Sequence, residues 1–172
     1  MRARLGGLVP RLRILVDDLA GVDIDRLYKR ELAPAVLMMW ILHRLAQGNA
    51  HLDRDLQPHI EVLRAVEESA SGADDLYGLL GYIGKVSETS AQDLQRVVDQ
   101  LGPLAKEVAV TTAEQLRAEG QAGTLLRLLA LKFGPLPDAV IKRVEAGDRT
   151  ELEVWTERVL TAGSLEEFFG DS

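Results

Sequence analysis

Paired signals that end one helix and begin the next divide the C-terminal third of the chain, and they restrict the fold more than any other feature. Gly134-Pro135, Gly147 and Gly163 each follow an apolar segment, and glycine readily adopts the backbone conformation that closes a helix. Asp148 and Ser164 come directly after two of these stops, and each is followed three residues later by glutamate, the pattern of a capping box. These signals predict three short helices that pack together as one small unit.

The rest of the chain is also helical in pattern, except near its start. Leu12, Ile14 and Val16 alternate with polar residues between Arg11 and Leu19, which predicts a β-strand. We therefore expect a mainly α-helical fold, a helical bundle with one N-terminal β-strand, followed by the small C-terminal three-helix unit. The expected divisions are the strand and N-terminal arm over residues 1–20, a helical region over 21–116, a polar glycine-containing linker over 117–124 and a C-terminal helical domain over 125–172.

A single strand leaves its backbone hydrogen-bonding groups unpaired, which is costly when the strand is buried. No second convincing strand follows in the sequence. The pattern therefore predicts that the partner strand lies upstream or comes from another chain, and we expect this chain to be the C-terminal part of something larger.

Six further helices are expected between the strand and the linker. Three are predicted from their starts: Asp23 can cap a short helix through Tyr28, Ser90 with Asp93 can cap a helix that ends near Leu101, and Pro103 opens a long helix.

The other three are predicted from their apolar patterns. Residues 34–47 begin with proline and are apolar on nearly every side, so this helix should be central. A second helix is expected from Pro58 to Glu68. A third, over residues 74–86, has glycine at every third position, and a ridge of small residues usually indicates the close approach of a neighbouring backbone.

Composition excludes several classes of protein. The chain has no cysteine, which excludes disulfides, cysteine-ligated metals and a cysteine nucleophile, and is consistent with a reducing cytoplasm. Its formal net charge is −7, although residues 1–48 contain 8 Lys/Arg against 5 Asp/Glu. A basic start on an acidic chain can contact nucleic acid or a partner protein. An ordinary solvated surface explains it more simply.

Neither a secretion signal nor a membrane span is visible. The first ten residues mix apolar residues with arginines and glycines, without an apolar core. The most apolar run, Ala33 to Leu42, has half the roughly 20 residues that a bilayer requires. We expect a cytoplasmic protein with no membrane contact.

Histidine spacing does not support a metal site. His43, His51 and His59 recur every eight residues, but Gly48-Asn49 and Pro58 interrupt any helix that would align them. No carboxylate stands at the spacing of a zinc motif. We expect no metal and no cofactor, and we interpret His43 as a residue at the boundary of a buried helix.

A nuclease requires carboxylates on strands with a nearby lysine or glutamine, and no [DE]-x-K pattern occurs. The related [DE]-x-Q pattern occurs at Asp55–Gln57, Asp93–Gln95 and Glu119–Gln121, outside any predicted strand. Asp17 and Asp18 do end the predicted strand and could bind a metal, but no partner group accompanies them. We therefore assign no catalytic, cofactor-binding or metal residue.

Three motifs resemble a known family. They are Phe133-Gly-Pro-Leu-Pro137, then Trp155-Thr-Glu-Arg-Val-Leu160, then Ser164-Leu-Glu-Glu-Phe168. In this order they resemble the C-terminal domain of unknown function in Rpn-type recombination-promoting nucleases, also called putative transposases, of the PD-(D/E)XK superfamily. Residues 12–19 resemble the strand before the helical half of that family, and residues 110–120 resemble the stretch before its glycine-rich linker.

The resemblance implies a DNA endonuclease whose motif carboxylates precede the strand. This chain begins almost at that strand, so no family catalytic residue has a counterpart in it. The resemblance therefore implies a non-catalytic C-terminal module that oligomerises or regulates a full-length nuclease, with DNA reached only through that partner. Two alternatives stay open: a Mg²⁺-dependent DNA endonuclease, and a DNA-binding or adaptor protein that uses Arg2, Arg4, Arg11 and Arg13.

Overall fold

A computed structural model describes residues 23–170, and this part of the chain is mainly α-helical. The predicted strand at Arg11–Leu19, and with it the N-terminal arm, lies outside the described residues. The helices are α1 (Ile24–Tyr28), α2 (Pro34–Leu45), α3 (Leu52–Asp55), α4 (Ile60–Glu67), α5 (Gly72–Val86), α6 (Ala91–Val98), α7 (Pro103–Phe133), α8 (Asp138–Glu145), α9 (Arg149–Thr161) and α10 (Leu165–Phe169), with a 3₁₀ turn at Gln57–His59 before α4.

Four of these ten α-helices begin at a residue whose side chain accepts a hydrogen bond from the first turn. Asp23 and Ser90 accept hydrogen bonds from the first turns of α1 and α6. At α9 the capping box is complete, because Asp148 accepts the Glu151 N–H at 2.8 Å and Glu151 accepts the Asp148 N–H at 3.0 Å. At α10 the exchange is different: Ser164 accepts the Glu167 N–H, but the Glu167 carboxylate accepts the Gly163 N–H instead.

Two separate hydrophobic cores share helix α7. The first core is formed by α1 to α6 with the N-terminal part of α7, and it extends from Leu27 to Val108. The second core is formed by the C-terminal part of α7 with α8, α9 and α10. Its buried members are Ala122, Leu125, Leu129, Val144, Leu152, Trp155, Val159, Ala162 and Phe168. The predicted three-helix unit therefore packs with the end of α7 and includes the final turn.

The predicted linker over residues 117–124 is not an irregular segment, because α7 continues through it without a break for 31 residues. Gly120 and Gly123 each weaken a helix by roughly 1 kcal/mol relative to alanine. Packing on both sides offsets this cost: Thr112 and Val108 are buried before the segment, and Ala122 and Leu125 are buried at its end. The two cores are joined by a continuous helix.

Helix α2 is central, as the sequence predicts, but it is not buried on every side. Leu37, Met38, Ile41 and Leu42 pack into the first core, whereas Val36 is 43% exposed. Helix α3 was not predicted. Its N-cap His51 provides no side-chain hydrogen bond, so no local signal marks its start.

Within residues 23–170 the glycine ridge of α5 contacts no neighbouring backbone, so the expected close approach is wrong for this part of the chain. A Cβ added at Gly78 or Gly81 would meet nothing within 4 Å. A Cβ at Gly84 would meet the Leu116 side chain of α7. Only one of the three glycines therefore has a close neighbour, and that neighbour is a flexible side chain.

Gly81→Ala should raise the free energy of unfolding by about 0.5–1 kcal/mol, because alanine restricts the unfolded chain and fits open space in the helix. Gly84→Ala should gain less, since Leu116 must move. Urea denaturation of both variants measures the difference. A loss of stability in Gly81→Ala would show that an unrecognised contact requires glycine there.

Side chains of helix α4 hydrogen-bond to the backbone of the turn between α6 and α7. The Glu67 carboxylate accepts the Gly102 N–H at 2.7 Å and the Ala105 N–H at 3.0 Å, where α7 begins without a side-chain cap of its own. Arg64 donates from Nη2 to the Gln100 carbonyl at 3.0 Å. Because backbone N–H groups at a helix start carry partial positive charge, a carboxylate is well suited to this position.

Candidate functional site

The three histidines lie in different surroundings. His43 is exposed, donates from Nδ1 to the Met39 carbonyl at 2.7 Å and stacks on Tyr82. His51 is exposed at the start of α3. Within residues 23–170 no group of three or more His, Asp or Glu side chains is arranged to hold a metal ion. The sequence predicted that His43 lies at the boundary of a buried helix, and its side chain is in fact exposed.

His59 is the buried histidine. Its Nδ1 lies 2.7 Å from the Tyr28 hydroxyl, and the two rings stack with centroids 5.8 Å apart. Burial lowers the pKa of His59 below its ordinary value, since the charged imidazolium is poorly solvated there. Burial and the nearby Asp25 raise the pKa of Tyr28. The pair joins α1 to the start of α4 through a neutral contact.

The carboxylate–glutamine triplets occupy helices and turns of the surface. Asp55 accepts from the Asn49 side chain at 2.8 Å. Asp93 pairs with Arg96 at 2.7 Å. Glu119 pairs with Lys85 at 3.0 Å, and this contact lowers its pKa. Each carboxylate is thus engaged in a local contact, and the three lie on different elements. Asp17 and Asp18 lie outside the described residues.

A groove between α5, α6 and α7, called here the apolar groove, has a volume of about 380 Å³. Aliphatic side chains form most of its walls. They are Leu80 and Ile83 of α5, Ala91, Leu94 and Val98 of α6, and Ala109, Ala113 and Leu116 of α7. The groove exists because α6 packs mainly on α3 and meets α7 over a short stretch, whereas α5 lies along α7.

The polar groups in the apolar groove are mostly already hydrogen-bonded. Thr89 accepts the Leu52 N–H at 2.9 Å and donates to the Asn49 carbonyl at 2.8 Å. Thr112 donates to the Val108 carbonyl at 2.7 Å. Gln95 donates to Asp99 at 3.0 Å. An occupant would therefore meet aliphatic walls rather than hydrogen-bonding partners.

Arg117 is the cation that lines the apolar groove. Its side chain is on the exposed side of α7 and forms no ion pair or hydrogen bond with any other residue in the described part of the chain. A guanidinium beside an apolar wall suits a partner that combines an apolar side chain with a carboxylate. Sequence reasoning missed this site, because α6 and α7 are brought together by the turn at Gly102 and not by any local motif.

A second exposed apolar feature lies on the other core. Leu131 of α7 is 76% exposed and Leu160 of α9 is 79% exposed, which makes them the most exposed large apolar side chains of the described residues. Lys132 connects the two helix ends, donating to the carbonyls of Val159 at 2.8 Å and Leu160 at 3.2 Å. We call Leu131 and Leu160 the leucine patch.

Comparison with known proteins gives no relative: no family model, no curated protein and no solved structure matches this chain. Among the described residues, no helix is both long and apolar enough to cross a bilayer.

Proposed function

We propose that this chain is a non-catalytic helical association module of the Rpn type, which binds a second copy of itself or a longer counterpart that carries the nuclease. The apolar groove is the observation that carries this proposal. Its aliphatic walls lie at the surface while its threonines and glutamine are satisfied internally. Contiguous apolar surface that remains open in this way is typical of a protein–protein contact.

The C-terminal motifs support the Rpn-type part of the proposal by resemblance. Phe133 and Phe168 from two of these motifs pack in the second core, as does Trp155. These residues have structural roles, which suits a folding unit as well as a binding one. DNA would reach such a module only through the longer counterpart, and the cysteine-free chain suits the cytoplasm.

Self-association is tested by light scattering coupled to size-exclusion chromatography over a concentration series. We expect a dimer or a larger species whose population grows with concentration. The control is the same series in high salt, where the apolar part of the contact should persist because salt screens charges and not apolar burial. A chain that stays monomeric at the highest soluble concentration would contradict self-association.

Catalysis is tested by incubating the chain with plasmid DNA and Mg²⁺ or Mn²⁺. We expect no cleavage, because the proposed module contributes no metal ligands of its own. The matched control is a chain with Asp17→Ala and Asp18→Ala, the two carboxylates that end the predicted strand. Cleavage by the original chain that is lost in this variant would replace the association module with a nuclease.

A further inference from the structure

The lining of the apolar groove is complementary to an occupant that presents an apolar side chain and a carboxylate. Its walls are aliphatic, and Arg117 is a charge with no partner in the described part of the molecule. An apolar occupant without a carboxylate would shield the guanidinium of Arg117 from water without giving it a charge partner, which is unfavourable.

The leucine patch presents this combination on the same chain. Leu160 stands out from α9, and Glu157, three residues earlier on the helix, lies on its exposed side. Glu157 forms no ion pair with another residue between 23 and 170. Leu131 adds a second exposed aliphatic side chain on the neighbouring helix. An apolar side chain and an unpaired carboxylate thus stand next to each other on α9.

A chain cannot easily fill its own groove. Arg117 and Leu131 lie on the same uninterrupted helix α7, fourteen residues apart. At 1.5 Å per residue they are about 21 Å apart along a rigid axis. The leucine patch of one copy must therefore meet the apolar groove of another.

We infer that this chain associates head to tail, with the leucine patch and Glu157 of one copy seated in the apolar groove beside Arg117 of the next. This inference rests on the proposed association function and names the two surfaces involved. Because the two surfaces differ, an open assembly keeps one free apolar groove at one end and one free leucine patch at the other. Such contacts build a closed ring or grow with concentration rather than stop at a two-fold dimer.

Two variants that each destroy one surface test the inference. Ala113→Arg fills the apolar groove, and Leu160→Glu places a charge in the leucine patch. Each variant alone should be monomeric in sedimentation velocity, while circular dichroism shows an intact helical fold. Mixed in equal amounts, they should form a one-to-one dimer, since each supplies the surface that the other lacks.

Control variants introduce the same new residues at exposed positions outside the two surfaces. Ala139→Arg on α8 and Val110→Glu on α7 should associate like the original chain. The inference is overturned if Ala113→Arg or Leu160→Glu associates normally, or if the mixture of the two folded variants stays monomeric. In either case an original chain that still oligomerises leaves the proposed function standing, whereas a monomeric original chain removes both the head-to-tail contact and self-association.

Charge reversal tests the pairing of Arg117 with Glu157. Arg117→Glu should weaken association about tenfold or more, and adding Glu157→Arg in the same chain should restore most of the loss. Lys106→Glu, which makes the same charge change on α7 outside the apolar groove, should have little effect. Failure of the double variant to recover would mean that these two charges do not meet.

Discussion

Leu129→Ala should lower the free energy of unfolding by about 2–5 kcal/mol, one of the two largest effects expected for a single substitution here. Leu129 is 0% exposed and lies between α7 and the helices that complete the second core. Removing its side chain loses the free energy of apolar burial and leaves a cavity that α7, held in the first core as well, cannot easily close.

The measurement can be confined to the second core. The chain has two tryptophans, of which Trp155 belongs to the second core and Trp40 packs on the first. In a Trp40→Phe background, urea unfolding followed by fluorescence reports Trp155 alone. Leu131→Ala on the exposed side of α7 is the control and should change stability by less than about 0.5 kcal/mol. A loss below 1 kcal/mol in Leu129→Ala would contradict the assignment of this core.

Glu67→Ala should lower the free energy of unfolding by about 1–3 kcal/mol, because the N–H groups of Gly102 and Ala105 lose their acceptor. Ala105 is fully buried, so its N–H cannot turn readily to water. The adjacent Glu68→Ala removes the same charge from an exposed position and serves as the control. Chemical denaturation of the two variants side by side gives the difference.

Equal stability in Glu67→Ala and Glu68→Ala would show that α7 does not depend on the carboxylate of α4. A larger loss in the Glu67 variant, partly recovered in Glu67→Gln, would match the structure, since the amide oxygen can still accept one N–H.

Helix starts could be predicted from sequence because their causes are local. Asp23, Ser90, Asp148 and Ser164 all accept hydrogen bonds within three residues of themselves. The start of α7 could be predicted from Pro103, but its cap could not, because Glu67 lies 35 residues from Gly102 in the chain. Helix α3 was not predicted either, because its N-cap residue His51 forms no side-chain hydrogen bond that the sequence could indicate.

Residues 117–124, predicted as a glycine-containing linker that weakens the helix, lie inside the continuous helix α7, because packing on both sides outweighs local propensity. Gly120 and Gly123 face solvent, while Ala122 between them is buried in the second core. The apolar groove could not be predicted at all, since it depends on how far α6 stands from α7. By contrast, the starts of α9 and α10 could be predicted from Asp148 and Ser164, because each of these caps acts within one helical turn.

The most direct test of the association module is native mass spectrometry of isotopically labelled chain mixed with unlabelled chain. The proposal predicts species of two or more chains, including mixed species that contain one labelled and one unlabelled copy. The original chain should form them, and Ala113→Arg and Leu160→Glu separately should not. Spectra that contain single chains only, at concentrations where the helical fold is intact, would contradict the central claim.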